Sequence, residues 1–414
     1  MTHLRPTLRW LASFAISCAL AASAFAQEVG DDVVAKADQV ALHPDKGPPV
    51  LLVKGEILSL VKVERDRYRA RLTSGMKGPV EGWINRSDVL ALATALEIVN
   101  DELKQKPTAA GYAVRAAMWE AQHNHDRAIA DGDEAIRLDP KRAQAFFTRG
   151  TARFLKRDYD PALSDFNEAI RLEPAFAAAY IRRASTWRYK HQYQKALADC
   201  DRAFEINPSF SAVHTMRAAV WGSQKQYGLA IFECNEAIRL DPNFASAYNG
   251  RGYAWDLKGE FAKAIADYDQ ALRSAPRAVQ TYLNRATVYR ELADWDRSLA
   301  DYDTAIRIAP KEFPPLAARA WLRATCPDAR YRDGKKSLKD AKQACELSGW
   351  KDIACLSALA GAYAENGDFL NAVRWQQKAV DLVPENEPQE RAALQYPLTF
   401  YKSQQPFREK PPGE

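Results

Sequence analysis

The side chains that could do metal or catalytic chemistry are few and scattered in this sequence. His123 and His125 lie two residues apart, a spacing that can hold a metal ion, but no cysteine lies near them, and histidines in a turn between helices are usually solvated. Cys326 has no evident histidine base, so we do not expect a nucleophile there. No glycine-rich phosphate loop is present, and the acidic residues follow helix ends and solvated faces. The sequence therefore predicts a protein that is not an enzyme and that holds no metal or cofactor.

A more regular charged pattern is built from arginines and acids. The arginines are Arg115, Arg149, Arg183, Arg217, Arg251, Arg285 and Arg319. The acids are Asp131, Asp165, Asp199, Glu233, Asp267, Asp301 and Asp340. A guanidinium and a carboxylate on facing helices can form two parallel hydrogen bonds. We expect a ladder of partly buried ion pairs that fixes helix register, with a groove for acidic ligands as the alternative use of the arginines.

Elements that position these residues must repeat with them. Prolines recur at intervals of 34 residues, at Pro140, Pro174, Pro208, Pro242, Pro276 and Pro310. Alanines recur five residues before them, at Ala135, Ala169, Ala203, Ala237, Ala271 and Ala305. A fixed period with small residues at fixed positions is typical of a solenoid of stacked helix pairs. Each proline would end the second helix of its pair, because proline supplies no amide donor.

The 34-residue sequence unit resembles the tetratricopeptide repeat, which folds as a pair of helices called A and B. Its units start at Ala109, Ala143, Ala177, Ser211, Ala245 and Val279. Within a unit an aromatic residue usually stands fourth, a small residue eighth and a second aromatic eleventh, as in Tyr180, Ala184 and Trp187. These positions share one face of helix A, where small residues let helix B approach closely. The resemblance implies a mainly α fold, a right-handed α-solenoid, that binds protein or peptide partners.

The resemblance also implies which side chains line the concave wall of the solenoid, namely those at positions 2, 5, 9 and 12 of each helix A, with position 6 nearby. Among these we single out, as candidate binding residues, Phe147, Phe154, Arg188, Asn249, Tyr253, Asp256, Asn284, Arg290 and Trp321. The mixture is small, polar and sparsely aromatic, which suits an extended or helical peptide. The lysine–asparagine carboxylate clamp of some chaperone-binding relatives is absent, because no lysine occupies position 2 or 5.

The N-terminus carries two further features. Residues 1–26 have a basic start, an apolar run and small residues before Ala26, which predicts a secretory signal peptide and a periplasmic or extracellular protein without a membrane span after cleavage. A lipoprotein cut at Cys18 is the alternative. Residues 31–92 contain short, partly alternating apolar runs, which suggest a small all-β barrel. The motifs Lys54-Gly55-Glu56 and Gly82-Trp83-Ile84 resemble those of a bacterial SH3-like domain. The resemblance implies that this domain binds peptide or cell-wall material, or else serves as a spacer or as a cap on the repeats.

The remaining boundaries follow the repeat period. Residues 93–108 read as a lone capping helix, residues 109–312 as six regular units and residues 313–386 as two divergent units. Residues 387–414 read as a polar tail, since Pro397 interrupts the helix that often closes such solenoids. Five cysteines would remain after signal cleavage: Cys200 and Cys234 read as buried apolar residues, and one bridge among Cys326, Cys345 and Cys355 stays open.

Taken together, these features predict an exported, non-catalytic scaffold that binds a protein or peptide on its repeat surface. The alternative is a cell-envelope module whose SH3-like domain contacts the wall while the repeats recruit an enzyme. A formal net charge of +5 over 414 residues is too small for nucleic-acid binding by bulk charge.

Overall fold

The structure, a computed structural model, contains eighteen helices after a set of short strands within its described residues. It describes residues 32–35, 40–42, 50–52, 57–63, 67–72, 81–85, 89–384 and 387–409, with side chains from Ala95 onward. The predicted signal peptide, residues 1–26, lies outside this part of the chain. The described chain divides at Pro276 into a first unit, residues 32–276, and a second unit, residues 277–409.

The strands of the first unit pair antiparallel. They are β1 (Asp32–Ala35), β2 (Val40–Leu42), β3 (Val50–Leu52), β4 (Ile57–Val63), β5 (Arg67–Leu72), β6 (Glu81–Asn85) and β7 (Val89–Ala91). Five of them form a sheet in the order β6-β5-β4-β1-β7, and β2 pairs with β3. The connecting loops lie outside the described residues, so the SH3-like barrel at 31–92 stays a prediction.

Helix pairs make up the rest of the first unit. Its helices are α1 (Leu92–Gln105), α2 (Ala109–Ala121), α3 (His125–Leu138), α4 (Ala143–Leu155), α5 (Tyr159–Leu172), α6 (Ala177–Tyr189), α7 (Tyr193–Ile206), α8 (Ser211–Ser223), α9 (Tyr227–Leu240), α10 (Ala245–Leu257) and α11 (Phe261–Ser274). The even-numbered helices occupy the A position and the odd-numbered helices the B position. The lone helix α1 packs through Leu96, Val99 and Leu103 against Met118 of α2. It therefore takes the place of a helix B before the first full pair.

The turn between A and B repeats as regularly as the prolines. One residue in each turn has a positive φ, at His123, Arg157, His191, Lys225, Gly259 and Ala293. At the second of these turns the Arg157 amide donates to the Phe154 carbonyl and the Asp158 amide donates to the Arg153 carbonyl, both at 2.9 Å. These bonds satisfy carbonyls that the end of helix A would otherwise leave open. The turn fixes the angle at which helix B returns along helix A.

The apolar stripes of A and B meet inside each pair. Tyr180, Ala184, Ala196 and Ala203 lie in one buried cluster together with Cys200. The prediction of a solenoid of helix pairs is therefore confirmed for the described helices. No helix among the described residues is both long and apolar enough to span a bilayer.

Gly150 offers a test of the close approach between A and B. A Cβ atom there would lie 2.9 Å from Cε1 of Phe166 and 3.0 Å from Cβ of Asp165. Because that space is filled, Gly150→Ala is expected to lower the free energy of unfolding by about 1–3 kcal/mol. Gly222→Ala is the matched control: no heavy atom lies within 4 Å of its Cβ position, so alanine should raise stability by up to about 1 kcal/mol. Urea denaturation followed by circular dichroism measures both, and equal shifts for the two variants would contradict the packing argument.

The second unit continues the pattern with a longer connection. Its helices are α12 (Val279–Glu291), α13 (Trp295–Ile308), α14 (Phe313–Thr325), α15 (Gly334–Leu347), α16 (Ile353–Glu365), α17 (Phe369–Asp381) and α18 (Pro388–Lys402), with a 3₁₀ turn at Ala329–Tyr331. The carboxylate of Asp333 caps α15 by accepting from the Lys336 amide at 3.0 Å. The extra residues between α14 and α15 are thus absorbed before helix B begins.

The predicted polar tail at 387–414 is wrong over most of its described length. Residues 388–402 form α18, and Leu394, Leu398 and Tyr401 are buried. Gln376 of α17 also donates to the Leu394 carbonyl at 2.9 Å. A proline inside a helix removes one backbone donor, and here the burial of a regular apolar stripe outweighs that loss. The last pair of the solenoid is therefore capped by a helix in spite of Pro397.

Candidate functional site

The arginine ladder has a regular bidentate geometry. Nε and Nη2 of Arg115 donate to the two carboxylate oxygens of Asp131 at 2.7 and 2.6 Å. The same double bond joins Arg149 to Asp165, Arg183 to Asp199, Arg251 to Asp267, Arg285 to Asp301 and Arg319 to Asp340. In these pairs the arginine side chains are 15–23% exposed and the aspartates 3–9%. Each guanidinium thus spans from helix A to its own helix B.

The same arginines also reach the preceding pair, which the sequence reasoning missed. Nη1 of Arg149 donates to Asp133 at 2.7 Å, and Nη1 of Arg183 donates to Asn167 at 2.7 Å. Equivalent bonds join Arg115 to Asn100, Arg251 to Asn235 and Arg319 to Asp303. Each of these five arginines therefore ties three helices together. These donors are committed to the chain itself, which does not support a groove for acidic ligands along the ladder.

Arg217 is the exception in the ladder. Its Nη2 donates to Asp201 of the preceding pair at 2.5 Å, while the predicted partner Glu233 bonds to Nδ1 of His214 at 2.7 Å. His214 stands where the other units carry an aromatic residue, so its ring competes for the acid. The predicted pair between Arg217 and Glu233 is therefore wrong.

Burial disfavours the charged forms of the ladder residues, while their hydrogen bonds favour them. Burial raises the pKa of Asp199, although the hydrogen bond from Arg183 acts in the other direction. The hydrogen bond to Asp131 raises the pKa of Arg115, against a smaller effect of burial. An ion pair whose attraction is offset by lost hydration adds little net stability. We infer that these pairs mainly select one helix register over others. The ladder thus fixes the position of each A helix against its neighbours.

In the first unit two of the predicted wall residues, Phe147 and Phe154, pack against other aromatic rings. Phe147 lies 4.8 Å from Phe176, ring centroid to centroid, and contacts Phe166 as well. Phe154 is buried and lies 5.5 Å from Tyr189. The two phenylalanines therefore stabilise the contact between pairs and offer little surface to a ligand.

Arg188 differs from them. Its side chain is only 5% exposed, its Nη1 donates to Ser223 at 3.0 Å and its guanidinium lies 4.4 Å above the Tyr189 ring. Nε and Nη2 have no hydrogen-bond partner among the described residues, and neither has the hydroxyl of Ser185, which lies on the same helix. Buried donors without acceptors are costly, and a carboxylate or a carbonyl would satisfy them.

Two further charged groups that the sequence reasoning missed are coupled on the A helices of this unit. Burial raises the pKa of Glu120 on α2 to about 8, and the charge of Arg182 on α6 lowers it by less. Burial lowers the pKa of Arg182 to about 10. At neutral pH the carboxyl is therefore mostly protonated while the guanidinium keeps its charge. Both residues stand at regular positions of helix A, twelfth and sixth, which is the signal that could have found them.

Asn249, Tyr253 and Asp256 lie together on α10. Asn249 and Asp256 are buried and Tyr253 is partly buried. Burial raises the pKa of Tyr268 well above its ordinary value, with smaller contributions from Asp256 and Tyr253. These residues form a largely buried polar stripe along one face of α10.

The second unit brings Arg290 and Trp321 together around the end of the chain. The indole Nε1 of Trp321 donates to Oε1 of Glu409 at 2.5 Å, and Nη1 of Arg290 lies 3.7 Å from the same oxygen. The Glu409 amide donates to the Thr325 carbonyl at 2.9 Å, and the Phe407 ring lies 5.9 Å from the Trp321 ring. Asn284, the third candidate in this unit, is buried and accepts from Gln280 at 2.8 Å.

The histidines and cysteines that were considered above as metal ligands, nucleophiles or disulfide partners form no such site among the described residues. The rings of His123 and His125 lie 6.2 Å apart, and the described residues contain no group of three side chains suited to a metal ion. All five described cysteines are buried free thiols, so the bridge left open among Cys326, Cys345 and Cys355 is not formed in this structure. Burial raises the pKa of Cys326 to about 11, which keeps the thiol neutral and weakly nucleophilic.

Comparison with known proteins agrees with the repeat geometry. Two tetratricopeptide repeat models match residues 224–279 and 279–312, and no curated protein matches the chain. Among solved structures, the Cut9–Hcn1 hetero-tetramer of the APC/C is 14% identical, with 66% of this chain and 52% of that chain covered and a TM-score of 0.50. A monomeric mutant of IFIT1 with Gppp-AAAA is 13% identical, covering 70% of this chain and 77% of that one, with a TM-score of 0.50. A tetratricopeptide repeat protein from Parabacteroides merdae is 18% identical, covering 53% and 87%, with a TM-score of 0.46. At these identities the two structures with a TM-score of 0.50 show a shared fold alone, and the matched segments show that the chain contains tetratricopeptide repeats.

Proposed function

We propose that this chain is an exported, non-catalytic scaffold that binds a protein or peptide partner on the wall formed by its A helices. Tetratricopeptide repeats suggest a protein-interaction role in general. Export is inferred from the signal-like residues 1–26. Non-catalysis is supported by the committed charges of the ladder and by the raised pKa of the buried thiols, Cys234 at about 12 and Cys326 at about 11.

The observation that carries the proposal is the buried guanidinium of Arg188. A surface arginine would meet its hydrogen-bonding capacity with water, but this side chain is 5% exposed and two of its nitrogens lack partners among the described residues. A partner that presents a carboxylate or backbone carbonyls would form charge-assisted hydrogen bonds in a partly dry site. Arginines in such positions often dominate the binding energy of an interface.

The test compares capture of native partners by three versions of the chain. Crosslinking in the native envelope, followed by mass spectrometry, identifies partners, whose affinity is then measured with purified proteins. Arg188→Met is expected to weaken that affinity at least about 10-fold. Its melting temperature should stay the same or rise, because donors without acceptors are removed.

Arg202→Met is the matched control. Arg202 is 54% exposed on helix B and bonds to Glu205. Its replacement should leave partner affinity unchanged. Equal affinity of the Arg188 variant and the parent chain would reject the wall as the binding surface. Recovery of a cytoplasmic chain that still carries residues 1–26 would reject export.

A further inference from the structure

We propose that residues 405–409 are a built-in ligand of the second unit. They cover a site lined by α12, α14, α16 and α18 that binds an extended segment with an aromatic residue two positions before a carboxylate, and a partner with this pattern replaces them. This inference rests on the proposed function, since it names the partner chemistry for one part of the wall.

The main chain of the segment is bound as a peptide ligand would be. After α18 ends at Lys402, Gln404 turns the chain with a φ of 56°. The segment then runs beside α14, where the Glu409 amide donates to the Thr325 carbonyl at 2.9 Å. A bond between main chains can be made by any sequence, so it fixes the register of the segment while side chains supply selectivity.

Phe407 is the anchor of the segment. Its side chain is 3% exposed, and its ring lies 5.6 Å from Phe400, 5.9 Å from Tyr396 and 5.9 Å from Trp321. A buried aromatic ring among tilted aromatic partners is the kind of contact that dominates peptide binding.

Glu409 gives the segment its charge selectivity. Its side chain is 8% exposed, accepts from the Trp321 indole at 2.5 Å and lies 3.7 Å from Nη1 of Arg290. Arg408, between the two anchors, pairs with Glu365 at 2.5 Å and donates to the Ala324 carbonyl at 3.0 Å. Three successive side chains thus meet an aromatic ring, an acid and a cation in turn, which describes a recognition site for a defined sequence.

The segment can leave without unfolding the cap. Leu394 of α18 is buried with Val380 and Val383, which do not belong to the segment, so this contact remains when the segment leaves. A short tether gives the segment an effective concentration on the order of millimolar at its site. A free peptide with the same contacts would then bind the closed chain much more weakly than an open one.

The experiment measures binding of a labelled peptide, residues 403–414 of this chain, by fluorescence anisotropy. Three proteins are compared from residue 27 onward: the parent, the full-length double variant Phe407→Ala and Glu409→Gln, and a chain ending at Gln404. We expect both altered chains to bind the peptide at least 10-fold more tightly than the parent. A peptide with Glu409→Gln should bind the open chain about 10-fold more weakly, and so should the parent peptide with an open chain that carries Trp321→Phe. Either change removes the hydrogen bond between the indole and the Glu409 carboxylate.

Each other outcome decides against the proposal. If the double variant is folded by circular dichroism and binds the peptide no better than a scrambled one, the segment is part of the core and not a ligand. If the parent forms a dimer that the shortened chain does not form, a second copy supplies the tail and intramolecular closure is wrong. Partner capture that still depends on Arg188 in either case leaves the proposed function standing.

Discussion

Asp165→Ala is expected to destabilise the first unit by about 3–5 kcal/mol, because it removes the buried acid that two partly buried guanidinium groups share. The Asp165 side chain is 3% exposed and accepts from Nε and Nη2 of Arg149 and from Nη1 of Arg153. Neighbouring repeats unfold as coupled units, so the loss should be largest near the change. Urea denaturation gives the total, and hydrogen exchange should show lost protection in α4 and α5.

Asp126→Ala controls for the removal of any acid. Asp126 is 81% exposed and forms one ion pair with Lys156, a kind of pair that contributes little to stability. We expect no measurable change from it. Replacing Arg149, Arg153 and Asp165 together with apolar residues of similar volume should recover most of the stability, because no buried charge is then left unpaired. If Asp165→Ala lowers the free energy of unfolding no more than Asp126→Ala does, the ladder contributes nothing measurable to stability.

The period of the sequence predicted the helix pairs because each pair buries the same stripe. The positions that Tyr180, Ala184 and Ala196 occupy in one unit carry similar residues in the others. The same contact surface therefore repeats, and the helix boundaries repeat with it. The same regularity predicted six of the arginine–aspartate pairs. It failed at Arg217, where one unusual residue, His214, changed the competition for Glu233.

The period could not predict what depends on contacts between pairs or beyond the repeats. The acceptors at Asp133 and Asn167 lie in the preceding pair, and single-unit reasoning does not reach them. Phe154 occupies a wall position, yet packing against its aromatic neighbours buries it. The role of Phe407 depends on the chain turning back after α18, which no repeat encodes. The available signal was the set of four aromatic residues in the stretch 387–414, namely Tyr396, Phe400, Tyr401 and Phe407.

Raising the pH from about 5 to about 9 is expected to weaken the first unit through Glu120. Burial raises the pKa of this carboxyl to about 8, whereas its ordinary value is 4.5. Between these values the unfolded chain has lost the proton and the folded chain keeps it, so folding binds a proton and stability falls as pH rises. The contribution is fully present below pH 4.5 and lost once the pH passes about 8. The shift corresponds to at most about 5 kcal/mol.

Glu120→Gln isolates this group, because the amide keeps the shape of the carboxylic acid and does not titrate. Thermal unfolding of the parent and the variant between pH 5 and pH 9 gives the difference, in which other titrating groups such as His125 cancel. The variant should match the parent near pH 5 and exceed its stability above pH 8, whereas parallel curves across the range would exclude Glu120 as the cause.

Under the proposed function, the protonation of Glu120 at neutral pH also affects partner binding. With this carboxyl neutral, the wall keeps the positive charges of Arg182 and Arg188, and we expect it to favour an acidic partner. Ionisation of Glu120 above pH 8 adds a negative charge to the same wall, so affinity for that partner should fall in the same pH range in which stability falls.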